Sequence, residues 1–515
     1  MCRHCMNRRE FMGTSGSMLL AAASLAGTSM AAMAASPSPA WTRDLWDPKK
    51  PFALQGKPLS VQPVLMYRLP ERREMTSYKS WGDVRSTEAL EDECVRIAGE
   101  LDALAKKAGF GLEIRPVVRV EDEGQAAKAG SSDADVVVLY PSGGSGEMLR
   151  AYLPKDRGLI FLRHKSGPLY YWYEALSVSY LRTDSADPAK SKQENKVAGV
   201  DDVVVDDTDE LLWKLRARYA MKNFRGTRVV ALGGAQGKYA GGAPKIAKDK
   251  YGLEIIEVGY DTFGPRCAAA LADKERMDLA EKWTDEYLAL PGTTVATERP
   301  FIVNSFILYG LFKELMIENN APVFTINSCM GTIMPMSKTT ACLTLSLMND
   351  EGLLAFCESD FVIIPAGILM YHIAQAPVFL HNSTFPHKAI VTCAHCTSPR
   401  RLDKLTYAPT LLTTHYESEF GVSPKIDMPI GQVVSFIDPE YDYGRWVGMR
   451  GTVEDNPSLS ICRSQQEVKI EGNWRQLQKE VRDSHWIMAY GDHLKEIGYA
   501  APRLGVTWDN ISDEA

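Results

Sequence analysis

Histidine is concentrated in the C-terminal third of this 515-residue chain. Of its nine histidines, seven lie between His372 and His493. The segment VFLHNSTFPHKAIVTCAHC, residues 378–396, contains three of them together with two cysteines. Imidazole is the commonest metal ligand in proteins and the side chain that titrates near neutral pH. The clustering therefore indicates metal or acid–base chemistry in this part of the chain.

Two carboxylates and two of the histidines lie at the edges of apolar segments. Glu358 and Asp360 interrupt LLAFCESDFVII, where an unpaired carboxylate would need a cation, hydrogen bonds or a raised pKa. His395 ends the predicted strand AIVTCAH, and His485 begins the strand HWIMAYGDH. Considered one at a time, the two acids are typical of residues that cap the N-terminus of a helix. The two histidines are typical of strand-end side chains that hydrogen-bond to a loop. Taken together, a glutamate and histidines from distant strand ends are typical of a mononuclear metal site with oxygen and nitrogen ligands.

Cysteines are spread along the chain, and most of them lie in apolar surroundings such as TACLTL and IVTCAHC. Free cysteine is among the most buried residue types, which favours packing as a small hydrophobic side chain. An oxidising compartment would allow disulfides, but the spacing predicts no pairing. Cys393 and Cys396 have the spacing of half a zinc site, but a second ligand pair does not occur at a suitable distance along the chain. We therefore expect these cysteines to pack.

Residues 1–34 have the features of a twin-arginine export signal. Arg8 and Arg9 precede Phe11 and Met12, and an alanine-rich apolar stretch then ends in a small-residue cleavage site at 32–34. Glycine, serine and threonine interrupt that stretch, which falls short of the roughly 20 apolar residues that a membrane span needs. The pattern predicts export by the twin-arginine machinery to the periplasm or another extracytoplasmic location, without stable membrane insertion after cleavage.

Composition and length limit the classes of function. Hydrophobic residues make up 45% of the chain and charged residues 24%, as in ordinary globular proteins. The formal net charge of −7 provides no basic excess to neutralise phosphates, so we expect no nucleic-acid partner. The length is that of about three domains.

The pattern along the chain predicts an α/β fold with three domains. Residues 35–58 are rich in proline and are expected to form an extended lead-in. Over 59–199, and again over 200–320, buried strands alternate with helices, which predicts two doubly wound, Rossmann-like α/β domains. Over 321–515, shorter strand candidates and turns predict a β-rich α+β C-terminal domain, which would hold the catalytic site.

Two glycine-rich segments, PSGGSG and GGAQGKY, follow predicted parallel strands. Neither matches the dinucleotide-binding or phosphate-binding loop pattern. Glycines after a parallel strand usually serve the tight turn, which is the interpretation we favour. Because ligands of such folds bind at the carboxyl ends of the strands, a ligand contact by these loops stays open.

Five segments of the last third carry a family resemblance: TACLTLSLMNDEGLLAFCESD, APVFLHNST, IVTCAHCTSPRRL, SICRSQQEVKI and DSHWIMAYGDH. They resemble the C-terminal half of L-fucose isomerase-like proteins, within the L-fucose/L-arabinose isomerase superfamily. The two predicted α/β domains match that family's N-terminal domains in order and size.

The resemblance implies a metal-dependent aldose–ketose isomerase that acts on a small sugar substrate as a homo-oligomer. Family members hold one divalent ion, typically Mn²⁺, with a glutamate, an aspartate and a histidine; Zn²⁺ or Mg²⁺ are alternatives for this chain. Carboxylates move a proton between C1 and C2 through an enediol, and the cation stabilises the developing negative charge.

Residue by residue, Glu358 matches the family's glutamate and His485 its C-terminal histidine. The aspartate position, after the strand APVFL, holds Asn382, whose amide oxygen can bind a metal but cannot take or give a proton. The resemblance thus implies Glu358 and Asn382 as the catalytic residues, and these two with His485 as the metal ligands.

Further polar residues are expected as substitute ligands or as substrate contacts. Neighbours in a strand face opposite sides, so His381 and Asn382 cannot both point into one site without a bulge or turn. The substitutes are Asp360, His381, His395, Arg463 and Ser484.

Because an asparagine, Asn382, stands where the family has an aspartate, two other functions stay open. One is a catalytically inactive, exported sugar-binding protein that retains the pocket and the oligomer. The other is a metal-dependent sugar lyase or epimerase, since enolisation is common to these reactions.

Overall fold

The computed structural model describes residues 41–79, 84–152, 157–170, 181–182, 198–441, 444–480 and 482–513. The predicted export signal of residues 1–34, and the lead-in before residue 41, lie outside the described residues. The rest of the lead-in is extended apart from a short 3-10 helix at Arg43–Leu45. It lies against the protein, with Trp46 only 1% exposed.

The first sheet is entirely parallel and uses the part of the chain before residue 206. Its strands are β1 (Leu59–Met66), β2 (Leu112–Ile114), β3 (Val118–Val120), β4 (Val136–Pro141), β5 (Gly158–Leu162) and β8 (Val203–Val205); a separate two-residue ladder joins β6 (Leu181–Arg182) and β7 (Ala198–Gly199). Its helices are α1 (Thr87–Lys107), α2 (Glu123–Gly130) and α3 (Gly146–Tyr152). The order is β2-β1-β4-β5-β8, with β3 also on β1. Strands β1 and β4 are covered on both faces, which explains their continuous apolar sequences.

Local signals account for the longest helix of this part. Ser86 caps α1 by accepting a hydrogen bond from the backbone N–H of Ala89 at 3.1 Å. Within the helix Ile97, Leu101 and Leu104 recur at helical spacing and are buried against the sheet core.

The second sheet is also parallel, with the order β10-β9-β12-β13. Its strands are β9 (Arg228–Leu232), β10 (Glu254–Val258), β12 (Val323–Ile326) and β13 (Leu354–Phe356). The helices of this region are α4 (Thr208–Phe224), α5 (Ala243–Asp249), α6 (Tyr260–Ala272), α7 (Lys274–Leu288), α8 (Arg299–Glu318), α9 (Met334–Ser337), α10 (Cys342–Glu351) and α11 (Ile364–Ala374). This sheet continues beyond residue 320, where the sequence suggested that the third domain begins, because β12 pairs with β9 and β13 with β12.

The last part of the chain forms an antiparallel barrel. Its strands are β14 (Phe379–Ser383), β15 (Ile390–His395), β18 (Val433–Pro439), β19 (Arg445–Asp455), β20 (Ser464–Ile470) and β21 (His485–Tyr490). The order β18-β21-β14-β15-β20-β19 closes on itself because β19 also pairs with β18. The chain is therefore a mixed α/β protein with parallel sheets and a separate antiparallel barrel.

Smaller elements flank the barrel. A three-stranded sheet joins β11 (Thr293–Ala296), β16 (Thr410–Thr413) and β17 (Ser423–Ile426). Strand β22 (Thr507–Asn510) adds in parallel to β19, and helices α12 (Trp474–Glu480) and α13 (Leu494–Arg503) complete the described chain. The barrel interior is a separate apolar cluster that includes Phe379, Phe436 and Trp486.

Helix α8 is long and apolar enough to cross a membrane by length and composition, yet 78% of its apolar window is buried within the protein. It packs as a core helix, and the lead-in crosses it closely. A Cβ atom on Gly310 would lie 2.3 Å from the ring of Trp41, whose indole N–H donates to Glu314 at 2.5 Å. Glycine at this position thus lets the lead-in cover the helix.

We predict that Gly310→Ala lowers the free energy of unfolding by about 1–3 kcal/mol, because the added methyl group overpacks against Trp41. The matched control is Gly99→Ala in α1, where nothing lies within 4 Å of an added Cβ. There alanine should stabilise the protein by about 0.5–1 kcal/mol. Denaturant unfolding of both variants tests this, and a Gly310→Ala variant as stable as the wild type would contradict it.

Candidate metal centre

A cavity of about 840 Å³ lies where the second parallel sheet meets the outer face of the barrel. Residues that follow β9, β12 and β13 form one wall, so the cavity lies at the carboxyl ends of three parallel strands, where ligands bind in such sheets. Residues of β14 and β15, and of two loops near residues 416 and 461, form the rest.

Glu358 enters this cavity from the loop after β13. Its backbone φ is +63°, and that of Ser359 is +52°, a left-handed conformation that non-glycine residues adopt mainly where the surroundings require it. The side chain is 43% exposed, and its oxygens lie 3.6 Å from His395 Nε2 and 3.6 Å from His485 Nε2. Burial raises the pKa of the Glu358 carboxyl, but its contacts with the two histidines outweigh burial and hold the pKa well below its usual range.

His485 is completely buried at the start of β21, and a contact with Asp360 fixes the orientation of its ring. Its Nδ1 lies 2.8 Å from Asp360 Oδ2, which leaves Nε2 directed towards the Glu358 carboxylate. Asp360 also accepts backbone N–H groups from Lys238 at 2.9 Å and Val362 at 3.1 Å. Burial lowers the pKa of His485, but its contacts with Asp360 and Glu358 raise it to about 9.

His395 completes the group at the end of β15, where it is 4% exposed. Its Nδ1 lies 3.1 Å from Thr397 Oγ1, so that Nε2 faces Glu358. One ligand atom from each of Glu358, His395 and His485 lies within 4.8 Å of the other two. The three side chains could therefore hold one metal ion.

The chemistry of this donor set fits a divalent ion of the first transition series. A carboxylate with two imidazoles suits Zn²⁺, Fe²⁺ or Mn²⁺. The Asp360–His485 contact is the carboxylate–histidine arrangement that orients metal-binding imidazoles and raises their basicity. The resemblance implied Asn382 as the third ligand, whereas the converging third side chain is that of His395. Asn382 lines the same cavity and pairs in register with His485 across β14 and β21.

The glycine-rich loop after β9 supplies two further polar contacts. Lys238 Nζ lies 3.1 Å from His485 Nε2 and 3.8 Å from Glu358 Oε2. The Gln236 side chain donates to the Glu358 backbone carbonyl at 2.7 Å, and an isolated bridge links Gln236 with Asp360. The sequence favoured a simple turn here and did not single out Lys238. The loop follows the carboxyl end of a parallel strand, where ligands of such folds bind, and this position is the sequence feature that could have identified Lys238.

The remaining predicted residues lie elsewhere. His381 is completely buried inside the barrel, with its ring centroid 5.6 Å from that of Phe436, and burial lowers its pKa to about 3. Arg463 donates to the Thr414 carbonyl at 2.7 Å, and Ser484 lines a smaller neighbouring cavity. Among the described residues, none of these three lines the cavity that contains Glu358.

A second group of possible metal ligands lies on the wall of the same cavity: Cys342, Cys396 and His415. Interactions with the neighbouring Cys342, Cys462 and His415 side chains hold the pKa of the Cys396 thiol well below its usual value, although burial opposes this. Cys393, by contrast, packs inside the barrel as expected.

No protein-family model matches this chain, and no curated protein is significantly similar to it.

We predict that Asp360→Asn weakens Mn²⁺ binding about 10–100-fold, the usual effect of removing a carboxylate that orients a metal-binding histidine. Calorimetric titration of the whole chain measures the dissociation constant. His387→Ala is the control, because the His387 side chain is exposed and its Nδ1 lies 3.3 Å from a nearby backbone carbonyl, that of Phe385. Equal affinities in Asp360→Asn and the wild type would show that the Asp360 contact does not serve metal binding.

We also predict that Lys238→Met tightens Mn²⁺ binding. The Lys238 ammonium lies within 4 Å of two of the ligand atoms, so it repels any cation that binds there. Methionine removes the charge while keeping most of the length of the side chain. The same titration measures the change, and weaker binding in Lys238→Met would contradict electrostatic competition.

Proposed function

We propose that this chain is a metal-dependent, L-fucose isomerase-like aldose–ketose isomerase that works through an enediol. The observation that carries the proposal is the Glu358 carboxylate between the Nε2 atoms of His395 and His485, in a cavity large enough for a sugar. Glu358 and His485 are the two positions at which the family resemblance and the converging side chains agree.

The arrangement of the fold supports the same proposal. Two parallel α/β sheets precede the antiparallel barrel along the chain, which is the order of the domains in the family that the sequence resembles. The cavity takes residues from the second parallel sheet and from the barrel, so both parts of the chain would contribute to one site.

A bound divalent ion, Mn²⁺ in this proposal, would supply positive charge to stabilise the negative charge that develops on the substrate oxygens. Glu358 is ionised at neutral pH and 43% exposed, so it can accept the proton that leaves the sugar carbon. His485 is held in one orientation by Asp360. These groups are fixed before substrate enters, which favours an ordered reaction geometry.

Asn382 lacks the proton-transfer capacity of the family's aspartate. Lys238 takes over part of that task in this proposal, because its Nζ reaches the ligand group and an ammonium can give a proton to a substrate oxygen. Asn382 then contributes its amide to binding the sugar hydroxyl groups.

The test is deuterium exchange from solvent into C2 across a panel of aldoses, with Mn²⁺ added to the whole chain. Exchange detects enolisation even where the product is not the expected ketose. We predict that Glu358→Gln abolishes exchange, and that Asn382→Asp keeps or raises it by restoring a carboxylate. A loss of exchange in Asn382→Asp would mean that the asparagine has a positive role.

The asparagine at position 382 favours one competing function, a sugar-binding protein that has lost catalysis. It predicts saturable binding of an aldose without deuterium exchange in the wild type. A lyase or epimerase predicts exchange with an eliminated or epimeric product in place of a ketose. Product analysis by NMR separates these reactions from isomerisation.

Export to the periplasm or another extracytoplasmic compartment, and assembly as a homo-oligomer, belong to the same proposal. The twin-arginine route carries folded proteins, which suits an enzyme that takes up its metal before export.

A further inference from the structure

We propose that Cys342, Cys396 and His415 form a second, thiolate-rich metal site of the zinc class, which fixes the wall of the Glu358 cavity. One ligand atom from each of the three lies within 4.8 Å of the other two, and all three residues are buried. Ligand atoms of a tetrahedral zinc at its usual bond lengths are separated by roughly 3.5–3.8 Å, so small movements of these side chains would suffice. The site is separate from the proposed isomerase function.

Cys462 supplies a third thiol on the wall of the same cavity. It lies near the Cys396 sulfur, as do the Cys342 sulfur and the His415 ring. Cys396 is thus surrounded by two thiols and one imidazole, the ligand types of a Cys₃His site. Ser418 Oγ lies 3.3 Å from His415 Nδ1, and a hydrogen bond there orients the ring and leaves its other nitrogen for a metal.

Packing alone does not explain this group. Buried cysteines usually act as small hydrophobic side chains, and Cys393 does so among apolar residues inside the barrel. Cys267 is likewise completely buried in an apolar cluster. Cys342 and Cys396 differ from both, because their sulfurs lie next to each other and to an imidazole.

The types of ligand atom in each group indicate which class of metal ion that group would bind. Thiolates select zinc and other soft ions, whereas the carboxylate and imidazoles of Glu358, His395 and His485 suit harder ions. The two groups would therefore bind different metals although they line one cavity.

The four residues come from four separate segments. Cys342 begins α10, Cys396 follows β15 directly, His415 follows β16, and Cys462 precedes β20. A metal there would tie these segments together. Cys396 is next to His395, and residues 416, 417, 460 and 461 line the cavity, so the second site would fix both a ligand of the first site and one side of the pocket.

The test uses the whole chain, purified under reducing conditions and loaded with Co²⁺ as a probe. Thiolate ligands give an intense sulfur-to-cobalt charge-transfer band, which a carboxylate–imidazole site lacks. We expect this band in the wild type and in Glu358→Gln, and its loss in Cys396→Ser. Cys393→Ser is the matched control, since it removes a buried thiol three residues earlier that packs in the barrel cluster, and it should keep the band.

Zinc content measured by mass spectrometry gives the second readout. The wild type should retain one equivalent of zinc that Cys396→Ser loses. If Cys396→Ser does not fold, His415→Gln should lose the same equivalent while keeping all the cysteines. Absence of zinc and of the charge-transfer band from the reduced wild type would overturn the site. A Cys342–Cys396 disulfide found by peptide mapping of unreduced protein would overturn it as well. A failed deuterium-exchange experiment would leave these readouts unaffected.

Discussion

Asp360 joins the second parallel sheet to the barrel through one buried contact, its 2.8 Å hydrogen bond to His485. Both side chains are completely buried, and Asp360 is further held by the backbone N–H groups of Lys238 and Val362. Removing one partner of such a buried pair typically costs about 3–5 kcal/mol, because the other is left uncompensated. The Nε2 of His485, the glycine-rich loop and the Glu358 backbone all take their positions from this contact.

The site therefore requires the two architectures together. The parallel sheet brings the carboxyl ends of β9 and β13 to one edge, with β12 between them, which places Lys238 and Glu358 close together. The barrel presents β15 and β21 with β14 between them, so His395 and His485 reach the cavity from strands that do not touch each other. Neither part alone contains the carboxylate with both imidazoles. The cavity is a product of how the sheet edge and the barrel face pack.

The sequence carries local signals for part of this arrangement. Strand–helix alternation predicts the parallel sheets, and a carboxylate inside an apolar segment singles out Glu358. Closure of the barrel depends on pairs such as β14 with β21, whose strands lie far apart in the chain, so no local pattern encodes it. The convergence of His395 depends on how β15 ends relative to β21, so sequence reasoning offered it only as one of several substitutes. Lys238 was missed because it reaches the site from a loop about 120 residues earlier in the chain, through the Gln236–Asp360 bridge.

The rule that buried cysteines pack as small apolar side chains agrees with the position of Cys393 but not with the surroundings of Cys396. Burial in apolar surroundings predicts packing, and for Cys393 that interpretation agrees with its place inside the barrel. The same rule applied to Cys396, three residues later, overlooks that the chain leaves the strand there and meets Cys342 and His415. Zinc spacing rules look for ligand pairs close together in sequence, whereas these ligands come from four distant segments. Because Cys396 directly follows His395, a metal bound to the thiolates would restrict the backbone that presents the imidazole, and the two ligand groups would share one strand end.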